Sequence, residues 1–363
     1  MSRKHRAAPT LRQRLIALAE AAVIEDGPDA ALSTSEQQLA NVVVRSLRQG
    51  RDQPVLDAIA ALDETHAHEA ADLLTFWADD AAQTLEIQVT SPEGPVPGTA
   101  TFVLIPFFIS RTGPDPLPLD LRSHRQFDPL VKSLRAHHLI GPGPTLYLCG
   151  GFYRLADVST SWAARRDWLQ QVVREAAGQP ASVPPPTPEP LQDWPAQTVH
   201  MHLRFVVGVV IAAGDDDSVT WDQLERPPLA DDAMEETLEG WRADVGALML
   251  EMLESPAVVP GDPGLWTDAI QSGIELWNEM VSAIMLDGHC RAANATPDRV
   301  LADIRWTEKD AAWQVALSSP ALTSAPWRWV VADDPVESRD DLADFLRHQG
   351  IRRFAWDEHG LPD

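Results

Sequence analysis

The chain predicts an α/β protein of the α+β kind. A helical amino-terminal segment comes first, then two similar α/β units, then a carboxy-terminal segment rich in strands with one helix. Three observations lead there. Residues 101–111 (TFVLIPFFISR) and 204–213 (RFVVGVVIAA) are apolar runs of strand length, bounded by polar or turn-forming residues. After each comes the same series: a polar loop, a helical segment, a second apolar run, and a second helical segment holding a Trp. The flanks differ: three- and four-residue apolar spacing before the first run, short alternating runs near the end.

In the first copy the later members are 127–139, 145–152 and 161–177; in the second they are 231–253, 257–259 and 265–286. Phe102 aligns with Phe205 and Trp168 with Trp277, at offsets of 103 and 109 residues, so only a few residues separate the copies in length. Such a repeat predicts two α/β units that superpose, because matched apolar strands and Trp-bearing helices must bury equivalent faces.

Taken in order, residues 1–14 carry Arg3, Lys4, Arg6, Arg12 and Arg14 with no acid, and read as a basic, flexible arm. Residues 15–84 form the helical region. Leu11, Leu15, Leu18 and Ala22 share one helix face, and Gly27-Pro28 ends that helix. A second segment begins at Ser35, with Leu39, Val42, Val43 and Leu47 inward and Gly50 as its stop. Val55, Ile59 and Leu62, then Leu73, Leu74 and Trp77, continue the pattern to three or four helices.

The first α/β unit covers 85–178. Residues 85–90 alternate as a half-buried strand, and Pro92, Gly94, Pro95, Pro97 and Gly98 read as a turn. Pro106 lies inside the apolar run that follows. Proline cannot donate to a ladder, so this position implies an edge, a bulge or a local break. Residues 179–195 hold seven prolines and read as an extended, exposed linker. The second unit, 196–363, ends with strands at 300–307, 312–318 and 327–332, a helix at 338–348 and a strand at 351–356, the spacing of a crossover.

Composition bounds the function. The net charge is −25, and residues 215–279 hold seventeen acids against Arg226 and Arg242. Such a body repels nucleic-acid phosphate and suits a protein partner with a basic surface. Two cysteines in 363 residues make no disulfide framework. No signal-peptide core is present, and the longest strongly apolar run, 205–213, is too short for a membrane helix. The expected compartment is the cytoplasm, and the Arg-for-Lys and Ala usage suggests a bacterial source.

The candidate metal ligands are His200, His202 and His289. His200 and His202 form H-x-H on a strand, which puts both imidazoles on one face; Asp287, His289 and Cys290 in DGHC form the densest ligand cluster elsewhere. The competing account is an ordinary strand start near solvent, and the expectation is that the rings of His200 and His202 lie far from His289 and Cys290. His137-His138 suits a helix C-terminus, where a cation meets the dipole; His66 and His68 diverge on a helix. Cys149, beside Gly150-Gly151, reads as a buried core thiol rather than a nucleophile. Asp215-Asp216-Asp217 reads as a solvated turn and Glu235-Glu236 as a wet helix face. No G-x-S-x-G, H-E-x-x-H, Walker loop or G-x-G-x-x-G occurs.

The helical beginning, the strand FVLIPFFISR, LRAHHL before TLYL, the second start RFVVGVVIA and the closing DDLADFLRHQGIRRF together resemble a proteobacterial family catalogued as a domain of unknown function. The likeness covers most of 36–356. Many members extend into a cysteine-bearing tail; this chain stops at Asp363. The resemblance supplies no catalytic residues and no cofactor. The functional expectation is a non-enzymatic binding or regulatory protein. The alternatives are a metal-assisted hydrolase built on the H-x-H strand, and a nucleic-acid accessory factor acting through the basic arm.

Overall fold

A computed structural model describes residues 9–25, 32–91, 94–112, 127–141, 143–187, 199–213, 231–253, 257–307, 309, 312–331 and 335–357. The fold is mixed α+β, as expected. Four helices open it: α1 (Leu11–Glu25), α2 (Thr34–Leu47), α3 (Gln53–Glu64) and α4 (His68–Gln83). Their inward positions follow the apolar spacing, with Leu15, Leu39, Val43, Leu47, Val55, Leu62 and Leu74 buried in one core. Ser33 caps α2 by accepting from the Glu36 amide at 3.1 Å.

The main sheet has the order β1-β2-β4-β3, with β5 also on β2. Its strands are β1 (Thr84–Ser91), β2 (Gly94–Thr112), β3 (Thr145–Tyr153), β4 (Val199–Ala213) and β5 (Ala257–Pro260). The two apolar runs are therefore neighbours: β2 and β4 pair antiparallel from Gly98↔Ala213 to Thr112↔Val199. The units expected on either side of the proline-rich stretch thus share one sheet. They also exchange strands, since β3 pairs with β4 and β5 pairs with β2.

Helices cover both faces, which is why β2 and β4 read as continuous apolar runs rather than alternating ones. On one face α5 (Asp128–Ala136) and α8 (Asp231–Leu253) place Leu130, Leu134, Trp241 and Val245 over Val103, Ile105, Phe107 and Val206. On the other, α7 (Trp162–Ala176) and α9 (Trp266–Ala293) cover Phe102, Leu104 and Phe205; a short α6 (Leu155–Val158) precedes α7. Phe102 and Phe205 both lie on central strands. Trp168 meets Trp266 at 5.2 Å, and both rings contact Phe102, whereas Trp277 lies against Phe108. α9 crosses the sheet closely at Gly273, where a Cβ would stand 2.8 Å from the Phe205 ring.

The prolines of β2 show why a proline-bearing run can still be a strand. The strand starts at Gly94, so the turn expected over 92–98 is shorter than its proline and glycine content suggests. Leu104 exchanges backbone hydrogen bonds with Gly264, and the Pro106 carbonyl accepts from Gly261. By alternation, the donor missing at Pro106 faces the gap between that bridge and β5, so β2 itself runs unbroken through the proline, and the interruption lies on its partner side. Pro95 and Pro97 face the opposite way, beyond Gly98↔Ala213, where β4 has ended.

The proline-rich stretch has neither helix nor strand over 181–187. Its start is strapped to the first unit: the Tyr153 hydroxyl donates to the Pro184 carbonyl at 3.0 Å, and the Thr187 amide donates to Asp157 at 3.3 Å. The rest of the stretch, 188–195, lies outside the described residues, as do the basic arm over 1–8, Gly27-Pro28 and Asp215-Asp216-Asp217.

A second sheet, ordered β8-β7-β6-β9, closes the chain with β6 (Leu301–Thr307), β7 (Ala312–Ser318), β8 (Trp327–Val330) and β9 (Arg353–Asp357). α10 (Pro335–His348) links β8 to β9, which joins β6 in parallel, the expected crossover. One face of this sheet, with Ala302, Ile304, Trp313 and Val315, packs on α9 and α10. Among the described residues, no helix is long and apolar enough to cross a membrane.

Candidate binding cleft

The cleft begins with α9. This helix of 28 residues buries one side on the main sheet and another on the carboxy-terminal sheet. Between its middle and β8 stands Asn278, 4% exposed. Its amide donates to the Val330 carbonyl and its carbonyl accepts from the Val330 amide, both at 2.8 Å. The side chain thus satisfies the outer edge of β8 as a neighbouring strand would. Deeper in, the Trp327 indole donates to Ser282 at 2.9 Å.

On the opposite wall α10 lies at an angle set by two aromatic contacts. Trp329 donates to Ser338 at 3.2 Å, and its ring meets Phe345 at 5.6 Å. The space left between α9, β8 and α10 has a volume of about 690 Å³. Its walls carry Glu275 and Glu279 from α9 and Asp341 and Asp344 from α10, with Trp329 and Phe345 as the apolar floor. Among the described residues no Lys or Arg lines it. Burial, with the Glu275 charge second, holds the Glu279 carboxyl above its ordinary range, against the pull of Arg242. Arg242 itself is committed to a forked pair with Asp262, at 2.6 and 2.8 Å. Asp344 pairs with Arg347 on its own helix, and the Arg347 guanidinium turns toward the Phe354 ring.

The cleft therefore offers excess negative potential beside aromatic surface. That combination accepts a cationic group by charge and by cation–π contact. Its sequence signals are like charges at helical spacing, Glu275 with Glu279 and Asp341 with Asp344, which pass easily for wet helix faces. The carboxylates come from helices far apart in the chain, and only the crossover that seats α10 brings them to one opening.

The sequence-derived metal candidates fall elsewhere. His200 and His202 do share a face of β4, their rings stacked at 6.3 Å and 10°. His289 lies on α9, which runs on through DGHC to Ala293. The helix spreads this cluster around its axis: Asp287 turns out to Arg291, Cys290 packs toward the carboxy-terminal core, and His289 is buried. Among the described residues no three His, Cys, Asp or Glu side chains gather into a group that could hold an ion. The helix that continues through DGHC is what spreads its members apart.

Cys149 sits at the irregular register of β3 between Leu148 and Phe152, buried against Trp168 and its neighbours. Burial, with Glu175 nearby, pushes its thiol well above the ordinary range, which suits a core residue. His137 follows α5 as expected and reaches Asp244 of α8 at 2.8 Å. No family model matches the chain, and no curated protein or solved structure matches it.

Proposed function

We propose that the protein is a non-enzymatic binding or regulatory protein whose acidic, aromatic-floored cleft receives a basic segment of a protein partner. One observation carries the reading: four carboxylates and two aromatic rings surround one opening that no Lys or Arg lines among the described residues. An arginine or lysine entering it gains charge-assisted hydrogen bonds and ring contact together. The acidity of the whole chain favours the same partner through longer-range attraction.

The test is a fluorescein-labelled arginine-rich peptide titrated against the intact protein and against a Glu275→Gln, Asp341→Asn double variant. Both positions are exposed, so the substitutions leave the fold in place. The expected result is salt-dependent binding that weakens by about tenfold in the variant, the equivalent of about 1.4 kcal/mol. Equal affinity in the two proteins would remove the cleft from the proposal.

A further inference from the structure

The amino-terminal end of the chain, through the end of α2, carries a charge balance opposite to that of the whole molecule. Residues 1–51 hold eight Lys and Arg against five Asp and Glu, while the whole chain holds 29 against 54. In the structure three of these arginines meet at one place. Between α1 and α2 lies a cleft of about 530 Å³, lined by Arg14 from α1, Arg45 from α2 and Arg51 just beyond α2. Among the described residues no Asp or Glu lines it. Among the described residues none of the three arginines has a carboxylate partner.

Local structure explains the convergence. Gln38, Asn41 and Arg45 follow one another at three- and four-residue steps, so they form a single polar stripe along α2, and Gln49 follows in the turn beyond it. The chain then turns at Gly50, whose φ of 65° favours glycine. That turn is fastened to the buried Ser46: its hydroxyl donates to the Arg51 carbonyl at 2.8 Å, and its own carbonyl accepts from the Arg51 amide at 3.1 Å. The fastening brings Arg51 back over the end of α2, beside Arg45. Arg14 closes the cleft from α1, one helical turn after Leu11, which also lines it.

Three guanidinium groups around one opening repel one another, and the amide-bearing stripe supplies neutral donors at the same place. An oxyanion relieves the repulsion and accepts from both kinds of donor. Forked guanidinium contacts fit the tetrahedral oxygens of a phosphate group. Arg12 lies on the same helix as Arg14, and Arg3, Lys4 and Arg6 precede it in the sequence. A run of that kind suits a ligand bearing several phosphates in series.

We infer that the cleft of Arg14, Arg45 and Arg51 is a phosphate site, and that it takes the backbone of a nucleic-acid strand. The site is separate from the acidic cleft, and the two readings stand or fall by different variants. Binding is measured with the full-length protein and a fluorescein-labelled single-stranded DNA of about 20 nucleotides across a salt series starting near about 50 mM. The same titrations are run on an Arg45→Ala, Arg51→Ala variant, with circular dichroism to confirm the helices.

The expected result is that the double variant binds at least about tenfold more weakly and that its plot of log affinity against log salt is shallower by about two. Inorganic pyrophosphate displaces the strand from the native protein. If pyrophosphate perturbs the Nε–H signals of these arginines in NMR spectra while the strand fails to bind, the phosphate site stands, its source is a small phosphate ester, and the nucleic-acid assignment is overturned. Equal affinity and salt slope in native and double-variant proteins overturn the site, as does the absence of any response to either probe.

Discussion

At Asn278 one buried amide does for β8 what a further strand would do, and at His289 a buried imidazole has no such arrangement. His289 is 4% exposed, and neither ring nitrogen has a hydrogen-bond partner among the described residues. Burial lowers its pKa, because the charged ring would lose its hydration without gaining a partner. The sign follows directly. Below the unfolded-state value of about 6.5 the unfolded chain takes up a proton that the folded chain refuses, so falling pH favours unfolding. The contribution is fully present above that value and is lost progressively beneath it, by at most about 1.4 kcal/mol per pH unit. A His289→Leu variant should therefore lose less stability than the native protein between about pH 7.5 and about pH 5.5. Urea unfolding at the two pH values measures this. An identical pH decrement in both proteins would show that His289 is protonated without penalty.

Between elements, the helical region is held to the main sheet by α4 against α7. Asp79 on α4 accepts from the Arg165 guanidinium at 2.8 Å and from the Trp162 indole at 2.9 Å, while Asp52 accepts from the Ala163 amide at 2.9 Å. Arg165 is 7% exposed and lies over the Trp266 ring, so the pair ties α4, α7 and α9 together. Burial lowers the Arg165 pKa, with Asp79 opposing. Removing the carboxylate leaves a buried charge uncompensated, which costs about 3–5 kcal/mol, whereas Asp79→Asn retains an acceptor and should cost less. Denaturant unfolding of Asp79→Ala and Asp79→Asn gives both values; a loss below about 1 kcal/mol for the alanine variant would mean that the contact is solvent-screened.

These elements were legible in the chain because periodicity reports burial. The helices from α1 to α4 and both copies of the strand and helix series appear where apolar spacing puts them. What periodicity omits is direction and distance. It could not show that Pro95 and Pro97 point their missing donors away from a partner, or that α9 continues through DGHC and scatters its ligands. The candidate cleft was hidden for a related reason. Glu275, Glu279, Asp341 and Asp344 are ordinary wet-face residues on their own helices, and the crossover to β9 is what sets them opposite each other. The polar stripe of α2 was closer to the surface of the sequence, since its steps of three and four residues can be counted directly.

For the whole molecule, the decisive feature is that the main sheet is woven from both sides of the proline-rich stretch. β2 and β4 share fifteen register positions, β3 completes the far side of β4, and β5 lies along β2. β3 from before the stretch thus pairs with β4 from after it, and β5 from after it pairs with β2 from before it. A fragment of residues 1–190 would keep β2 but expose the edge that β4 covers, along with the face of Phe102 and Leu104 that α9 covers. A fragment of residues 191–363 would carry β4, with Phe205, Val206, Val207, Val209 and Val210 stripped of both neighbouring strands. Each exposed strand is a long apolar edge, the kind that aggregates rather than remaining in solution. The two fragments should therefore be insoluble or molten when produced singly. Produced together they should purify as a one-to-one complex with the near-ultraviolet dichroism of the intact chain, because chain continuity across the stretch contributes only loop-closure entropy. Cooperative unfolding and ordered Trp signals from the 191–363 fragment alone would show instead that the second copy builds a complete core without its partner strands.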